Sequence, residues 1–204
     1  MPIIIDSYPQ RSKPWFAAIL GNIGASKADK IITASGAPSK QAEELKFQLA
    51  SELISGIHEE TYQSKHMKRG LELEDDAIAL FEMVYNIEAR RVALVYKDEH
   101  KRFHCSPDSL IGENAGLEAK CLMGKNHIKY LLANKLPTEF FVQIQMSLYT
   151  CEREFWFLIL YCPGISPLII KVYRNEPFIK KLSQALAQFH EELMLLVRKL
   201  KGIK

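Results

Sequence analysis

The stretch GLEAKCL, Gly116 to Leu122, sets a carboxylate at Glu118 and an ammonium at Lys120 into an otherwise apolar run. Read as a strand, it sends successive side chains to opposite faces, so Glu118 and Lys120 share one face and Leu117, Ala119 and Cys121 the other. The apolar face belongs to a core, and the charged face must meet something polar. Just upstream, CSPDSL from Cys105 to Leu110 adds Asp108 behind a proline that fixes the turn. Gly112 and Gly116 bracket a short loop able to return the chain beside its own start. Two carboxylates converging from neighbouring strands offer hard oxygen ligands to a cation such as Mg²⁺. A lysine on the same face can orient or help deprotonate a water and offset charge developing on phosphorus. Asp108, Glu118 and Lys120 therefore read as a phosphodiester-hydrolysing triad, although the spacing D-x9-E-x-K is loose and, without context, a surface ion pair explains it more simply.

Working outward, strand-like segments at Arg91 to Tyr96, Arg102 to Cys105 and Leu117 to Cys121 suggest an antiparallel meander. A helix is expected near Thr138 to Cys151, then an apolar strand from Phe155 to Cys162, a Pro-Gly turn at Pro163 and a strand from Leu168 to Tyr173. A long amphipathic helix, Pro177 to Leu200, closes the chain with Phe178, Leu182, Ala185, Leu186, Phe189, Leu193 and Leu196 on one face. The first forty residues read as loops around a short helical or irregular piece, and Gln41 to Ile57 as a helix striped by Leu45, Leu49, Leu53 and Ile57. This order fits an α/β or α+β domain with a mixed central sheet flanked by helices.

The helix expected from Gly70 to Tyr85 carries the most information. Its apolar face holds Ala77, Ile78, Phe81, Val84 and Tyr85, and stepping back along that face lands on Glu74, while Glu72, Asp75 and Asp76 fall off it. An inward carboxylate needs a cation, a metal or a donor. Equally, it can serve the backbone N–H groups of the first turn.

The 204 residues, 48% hydrophobic and 25% charged, describe one ordinary soluble domain spanning 1–204. A net charge of +3 permits nucleic-acid binding through a local patch without demanding it. Cys105, Cys121, Cys151 and Cys162 form no CxxC pair and no signal peptide opens the chain, which favours reduced thiols in a cytoplasmic protein over disulfides or a zinc site. The longest apolar run, FWFLILYC, is too short for a membrane-spanning helix, so no membrane partner is expected.

The run RVALVYKDEHKRFHCSPDSLIGENAGLEAKC, followed by FFVQIQMSLY, closely resembles the lambda exonuclease and YqaJ-type viral recombinase family of alkaline exonucleases, within the PD-(D/E)xK nuclease superfamily. The similarity runs from about Trp15, in WFAAILGNIGAS, to about Cys162. The combination of SPD, LExK and Q-x-Q-x-S is far more specific than the triad. The resemblance implies a restriction-endonuclease-like core and a Mg²⁺-dependent exonuclease, with Mn²⁺ as a substitute. It implies action on linear double-stranded DNA from 5′ ends, with mononucleotides released and a 3′ strand left for recombination. It further implies a ring-shaped homotrimer and a single-strand annealing protein as partner. It makes Asp108 and Glu118 metal ligands, with the backbone carbonyl of Ala119 and with Glu74 near the metals; Lys120 acts on the water and Gln143 joins the active site. The helical spacing independently places Gln143, Ser147 and Thr150 on one polar stripe opposite Phe141, Ile144 and Leu148. Ser26 matches the serine near the end-binding pocket, and Ser106 precedes the catalytic aspartate as the family's does. The family's arginine for the 5′-phosphate is Ile19 here, which turns attention to Lys27, Arg11, Lys13 and Lys40 as DNA contacts, and Phe140 replaces a tyrosine of the lambda member. A PD-(D/E)xK endonuclease would use the same triad. A silent DNA-binding scaffold would have no reason to retain all three residues.

Other residues have plainer readings. His104 and Cys105 point oppositely on one strand, which disfavours a nucleophilic pair, and His58, His66 and His127 lack ligand spacing. Trp15 and Trp156 read as core, and the RKLKGIK terminus as a solvated helix end. Lys65, Lys68 and Arg69 are candidate phosphate contacts, each also explained by a solvated basic turn.

Overall fold

The computed structural model describes residues 1–58 and 65–202, and side chains from residue 68 onward after the gap. Its central feature is a four-stranded sheet in the order β5-β6-β7-β8, with β5 Ser109–Ile111, β6 Ala115–Cys121, β7 Phe155–Cys162 and β8 Ile165–Tyr173. β5–β6 and β7–β8 are antiparallel pairs, whereas β6 runs parallel to β7 with Glu118 opposite Leu158. A parallel pair requires a crossover. Here it is made by α5 Gly124–Ala133 and α6 Thr138–Cys151.

Each face of this sheet has its own helical cover. Ala77, Ile78 and Phe81 of α4 Glu74–Tyr85 pack against Leu117, Ala119, Phe157 and Ile159. Trp156, Leu158 and Leu160 belong to the larger core with Ile144, Met146 and Leu148 of α6 and Leu182, Leu186, Phe189 and Leu193 of α7 Glu176–Lys201. Strand alternation therefore puts Glu118 and Lys120 on the α6 side, and the polar group that their face required is supplied by that helix.

A second four-stranded sheet, in the order β1-β3-β4-β2, comprises β1 Ile3–Ile5, β3 Leu94–Tyr96, β4 Phe103–Cys105 and β2 Ile23–Gly24. The expected single meander is thus divided between two mixed sheets. The break falls at Ser106-Pro107-Asp108, where Pro107 has no N–H to continue a ladder. The helix expected from Gly70 to Tyr85 is also broken, into α3 Lys65–Glu72 and α4, with Leu73 as the junction. Val84 and Tyr85 are 54% and 40% exposed rather than buried, because α4 covers the sheet only over its first two turns. α1 Lys13–Ile19, a 3-10 turn Ala25–Lys30 and α2 Ala42–Ser55 give the N-terminal region more order than its composition suggested. Among the described residues no helix is long and apolar enough to cross a membrane. All four cysteines are free, with Cys105 and Cys151 Sγ atoms 3.3 Å apart in the core.

Gly116 is required where β6 crosses Trp156. A Cβ there would lie 2.3 Å from the indole ring. Gly116→Ala is expected to lower unfolding free energy by about 3 kcal/mol through overpacking, measurable by urea denaturation; an unchanged midpoint would remove the indole as the reason for this glycine.

Candidate active site

Asp108 stands at the start of β5, and its Oδ2 accepts a 2.6 Å hydrogen bond from the backbone N–H of Ala119 on β6. That bond holds the aspartate beside the strand carrying Glu118 and Lys120. Gln10 Nε2 donates to the carbonyls of Pro107 (2.8 Å) and Val92 (3.1 Å), pinning the N-terminal loop to the peptide preceding Asp108. Glu118 Oε1 receives both Lys120 Nζ (2.7 Å) and Gln143 Nε2 (2.6 Å). Among the described residues no hydrogen bond falls on Oε2. Lys120 Nζ also lies 5.7 Å from the centre of the Phe140 ring, a cation–π contact from the same helix as Gln143.

These groups are strongly coupled. Burial, then the charges of Glu118 and Glu74, push the Asp108 carboxyl well above the usual carboxylate range, against the opposing pull of Lys120 and the Ala119 N–H. For Lys120, burial favours the neutral amine, but Glu118, Asp108 and Glu74 outweigh it and raise its pKa. It is therefore an ammonium in the free protein, placed to donate hydrogen bonds. Cys121, next on the strand, is pushed up to about 11 by burial and then by Glu74 and Asp108, which leaves its thiol inert.

Glu74 opens α4, where a carboxylate suits the positive end of the helix. It also faces two arginines: Oε2 receives Arg11 Nη2 at 3.4 Å and Oε1 receives Arg91 Nη1 at 3.3 Å. Arg91 further donates to the Asp108 carbonyl at 3.2 Å and pairs with Asp75. The hydrogen-bond donors to Glu74 are thus the two guanidinium groups, as the reading of an inward carboxylate required, and among the described residues no backbone N–H of the first turn joins them. Among the described residues no three His, Cys, Asp or Glu side chains are gathered as a ready metal cage; each carboxylate is held by a protein donor.

A cleft of about 740 Å³ is lined by Arg11, Glu74, Asp108, Glu118, Lys120 and Gln143 together with Trp15, Ile19, Ser26, Lys27, Glu52, His58, His104 and Ser106. A second cavity of about 520 Å³ shares Gln10, Glu74 and Asp108 with it and adds Arg91.

A profile of the YqaJ-like viral recombinase domain matches residues 14–154, a span that takes in Glu74, Asp108, Glu118, Lys120 and Gln143. The chain belongs to the YqaJ-like viral recombinase domain family. The alkaline exonuclease LHK-Exo of Laribacter hongkongensis superposes with a TM-score of 0.85 at 24% identity, over 93% of this chain and 96% of that one. Its complex with dAMP gives 0.84 at 23% identity over the same shares. A phage-related exonuclease from Haemophilus somnus gives 0.65 at 12% identity, over 88% of this chain and 96% of that one. These likenesses establish the fold. No curated protein matches the chain.

In this YqaJ-like domain the candidate DNA contacts divide. Ser26, Lys27, Ser106 and Arg11 line the cleft, whereas Lys40 is exposed outside it and Lys13 does not reach it. Lys68 is also exposed outside it, and Arg69 donates to the Leu122 carbonyl at 3.2 Å, a structural tie between α3 and the end of β6. The Lys65 and His66 side chains lie outside the described residues. Trp15 is half-buried rather than core: its indole N–H reaches Ala93 O and Ser106 Oγ, each at 3.1 Å, and orients the serine. Gln143 and Ser147 face the cleft, but Thr150 is fully buried, because α6 is enclosed on nearly every side.

Sequence reasoning passed over Arg91, Gln10 and Glu52, and set His58 aside for want of ligand spacing. Glu52 is 1% exposed, accepts the Gly21 N–H at 2.9 Å and stands 3.2 Å from His58 Nδ1. The spacing Leu45, Leu49, Glu52 places it on the buried face of α2, a signal that was available. Lys27 is driven down by burial, with Glu52 opposing, and buried His104 is held neutral, pushed down to about 4 by burial and then by Lys27.

Proposed function

We propose that this YqaJ-like domain is a Mg²⁺-dependent exodeoxyribonuclease that attacks linear duplex DNA at 5′ ends, releases mononucleotides and leaves a 3′ single strand. The observation that carries the reading is one cleft joining two polar groups: Asp108, Glu118 and Lys120, and the Lys27 ammonium with the Ser26 and Ser106 hydroxyls. About 740 Å³ suits a terminal nucleotide rather than a duplex, so cleavage falls a short step from the end. The binding of dAMP by LHK-Exo supports the same size.

The donor set fits a hard divalent cation. Asp108, Glu118, Glu74 and the Ala119 carbonyl would hold it, and the buried negative charge that raises the Asp108 pKa is what such a cation offsets. When bound, Mg²⁺, or Mn²⁺ in its place, supplies Lewis-acid stabilisation of the phosphoryl oxygens and acidifies a water. Lys120 donates toward the nucleophilic water and the developing charge. Gln143 fixes Glu118, and Phe140 fixes Lys120. Lys27, Ser26 and Ser106 take the terminal phosphate in the absence of an arginine at Ile19. Family membership supports a homotrimeric ring, a role in recombination with a single-strand annealing protein, and residence in the cytoplasm of a bacterial or phage-infected cell, to which the free thiols are suited.

The test is digestion of linear duplex carrying a label at one 5′ or one 3′ end, with 5′-phosphate or 5′-hydroxyl, in Mg²⁺ or EDTA. Mononucleotides are expected from the 5′ end in Mg²⁺ only, with closed circles left intact. Lys27→Ala is expected to raise KM for phosphorylated ends about tenfold at nearly constant kcat, the loss of one charge-assisted contact. Internal cuts on closed circles would overturn the exonuclease in favour of an endonuclease, and no cleavage by the unaltered protein would leave a binding scaffold.

A further inference from the structure

The two arginines on Glu74 differ in how firmly they are held. Arg91 makes three polar contacts, to Glu74, Asp75 and the Asp108 carbonyl, and lies on the side of the smaller cavity. Arg11 lines the main cleft, is 44% exposed, and touches Glu74 through one 3.4 Å contact. Its backbone is pinned on both sides. Gln10 is bonded to Val92 and Pro107, and Ser12 caps α1 by accepting the Trp15 N–H. Between them Arg11 sits at φ +63°, a left-handed conformation that a branched-chain or bulky residue adopts only at a strain. The neighbouring side-chain bonds thus place the long Arg11 cation so that it reaches Glu74 from the cleft.

A single exposed carboxylate contact is weak, whereas a guanidinium on a DNA phosphate can form two parallel bonds to a denser anion. We propose that Arg11 is a counterion displaced by substrate: it neutralises Glu74 in the free protein and transfers to a backbone phosphate when a duplex end enters, releasing Glu74 toward the divalent cation. Arg91 stays behind to hold the other oxygen. DNA and metal then bind cooperatively, and by linkage each raises the affinity of the other equally. This rests on the metal-dependent nuclease reading and adds to it the order in which the site is completed. It also gives a means of keeping hydrolytic competence low until an end is seated.

The test measures Mn²⁺ binding by electron paramagnetic resonance or calorimetry, with and without a short duplex whose terminal linkages are phosphorothioates. In the unaltered protein, DNA is expected to tighten Mn²⁺ about tenfold, within the usual span of coupled sites. In Arg11→Gln, Mn²⁺ is expected to bind several-fold tighter without DNA, and the enhancement by DNA to shrink to about threefold. The dependence of DNA affinity on salt in EDTA is expected to lose about 0.9 in its log–log slope, one phosphate contact. Identical Mn²⁺ affinities for Arg11→Gln and the parent, or an unaltered salt slope, would overturn the exchange while leaving the nuclease intact. Failure of the parent to bind Mn²⁺ with or without DNA would remove the metal-dependent reading, and the exchange with it.

Discussion

Asp108→Asn is expected to abolish hydrolysis and, in the metal-free protein, to raise the melting temperature. The carboxylate is buried beside Glu118 and Glu74, and its pKa is raised chiefly by burial, so holding it ionised at neutral pH opposes folding. Asparagine keeps an oxygen for the Ala119 N–H and removes the charge. The variant is therefore expected to melt at a higher temperature than the parent in EDTA. The pH dependence has a definite sign. Below about pH 4, near the unfolded carboxyl pKa, the parent's carboxyl is protonated and as uncharged as the amide, and the difference vanishes. As pH rises toward the raised folded value the parent loses stability that the variant keeps, and above it the gap is full. Added Mg²⁺ should close the gap, since it binds and stabilises the parent alone. Differential scanning calorimetry in EDTA decides the matter: a variant less stable than the parent at pH 8 would mean that the carboxylate is adequately neutralised by Lys120.

The residues of this pair of strands were legible because their reading needs only local rules. Alternation puts Glu118 and Lys120 on one face, a proline-led turn returns Asp108 to their side, and helical spacing brings Gln143 over them. The partners that hold Glu74 were not legible. Arg91 follows it by 17 residues and Arg11 precedes it by 63, separations that no periodic pattern reports. Strand β5 is three residues long, too short to show alternation, and it hid inside the apparent loop SPDSLIGENAG. Helix α5 begins after Met123 with no Ser, Thr, Asp or Asn side chain capping it, so its start carried no signature. The division into two sheets turned on Pro107, whose missing donor was read only as a turn former.

Lys120→Ala is expected to reduce the rate of hydrolysis about 10³-fold, the scale of a positioned donor acting in the transition state. Stability should move opposite to that of Asp108→Asn. Glu118 is 5% exposed and would keep only Gln143 as a donor on Oε1, a loss of about 1–3 kcal/mol for a buried carboxylate deprived of a partner. Lys120→Arg should not rescue the activity, because a planar guanidinium cannot occupy the place of a compact ammonium packed between Glu118 and the Phe140 ring. Single-turnover kinetics with saturating DNA separate this from weakened binding. A variant within tenfold of the parent would move Lys120 from chemistry to structure.

Helix α6 is walled in by both the larger core and the 3-10 turn that carries Lys27, and from Ile144 to Leu148 every side chain is buried. The amides of that stretch are therefore shielded, and deuterium should reach them only when the whole domain opens. The loop bearing Gln10 and Arg11 is tied by far fewer bonds and should exchange early. A ligand that stabilises the folded state will slow the helix in proportion to its binding free energy, while a ligand that merely rearranges Arg11 will alter the loop alone. Peptide-resolved exchange of these two segments would thus read occupancy and local rearrangement separately, in one sample, without a label on either partner.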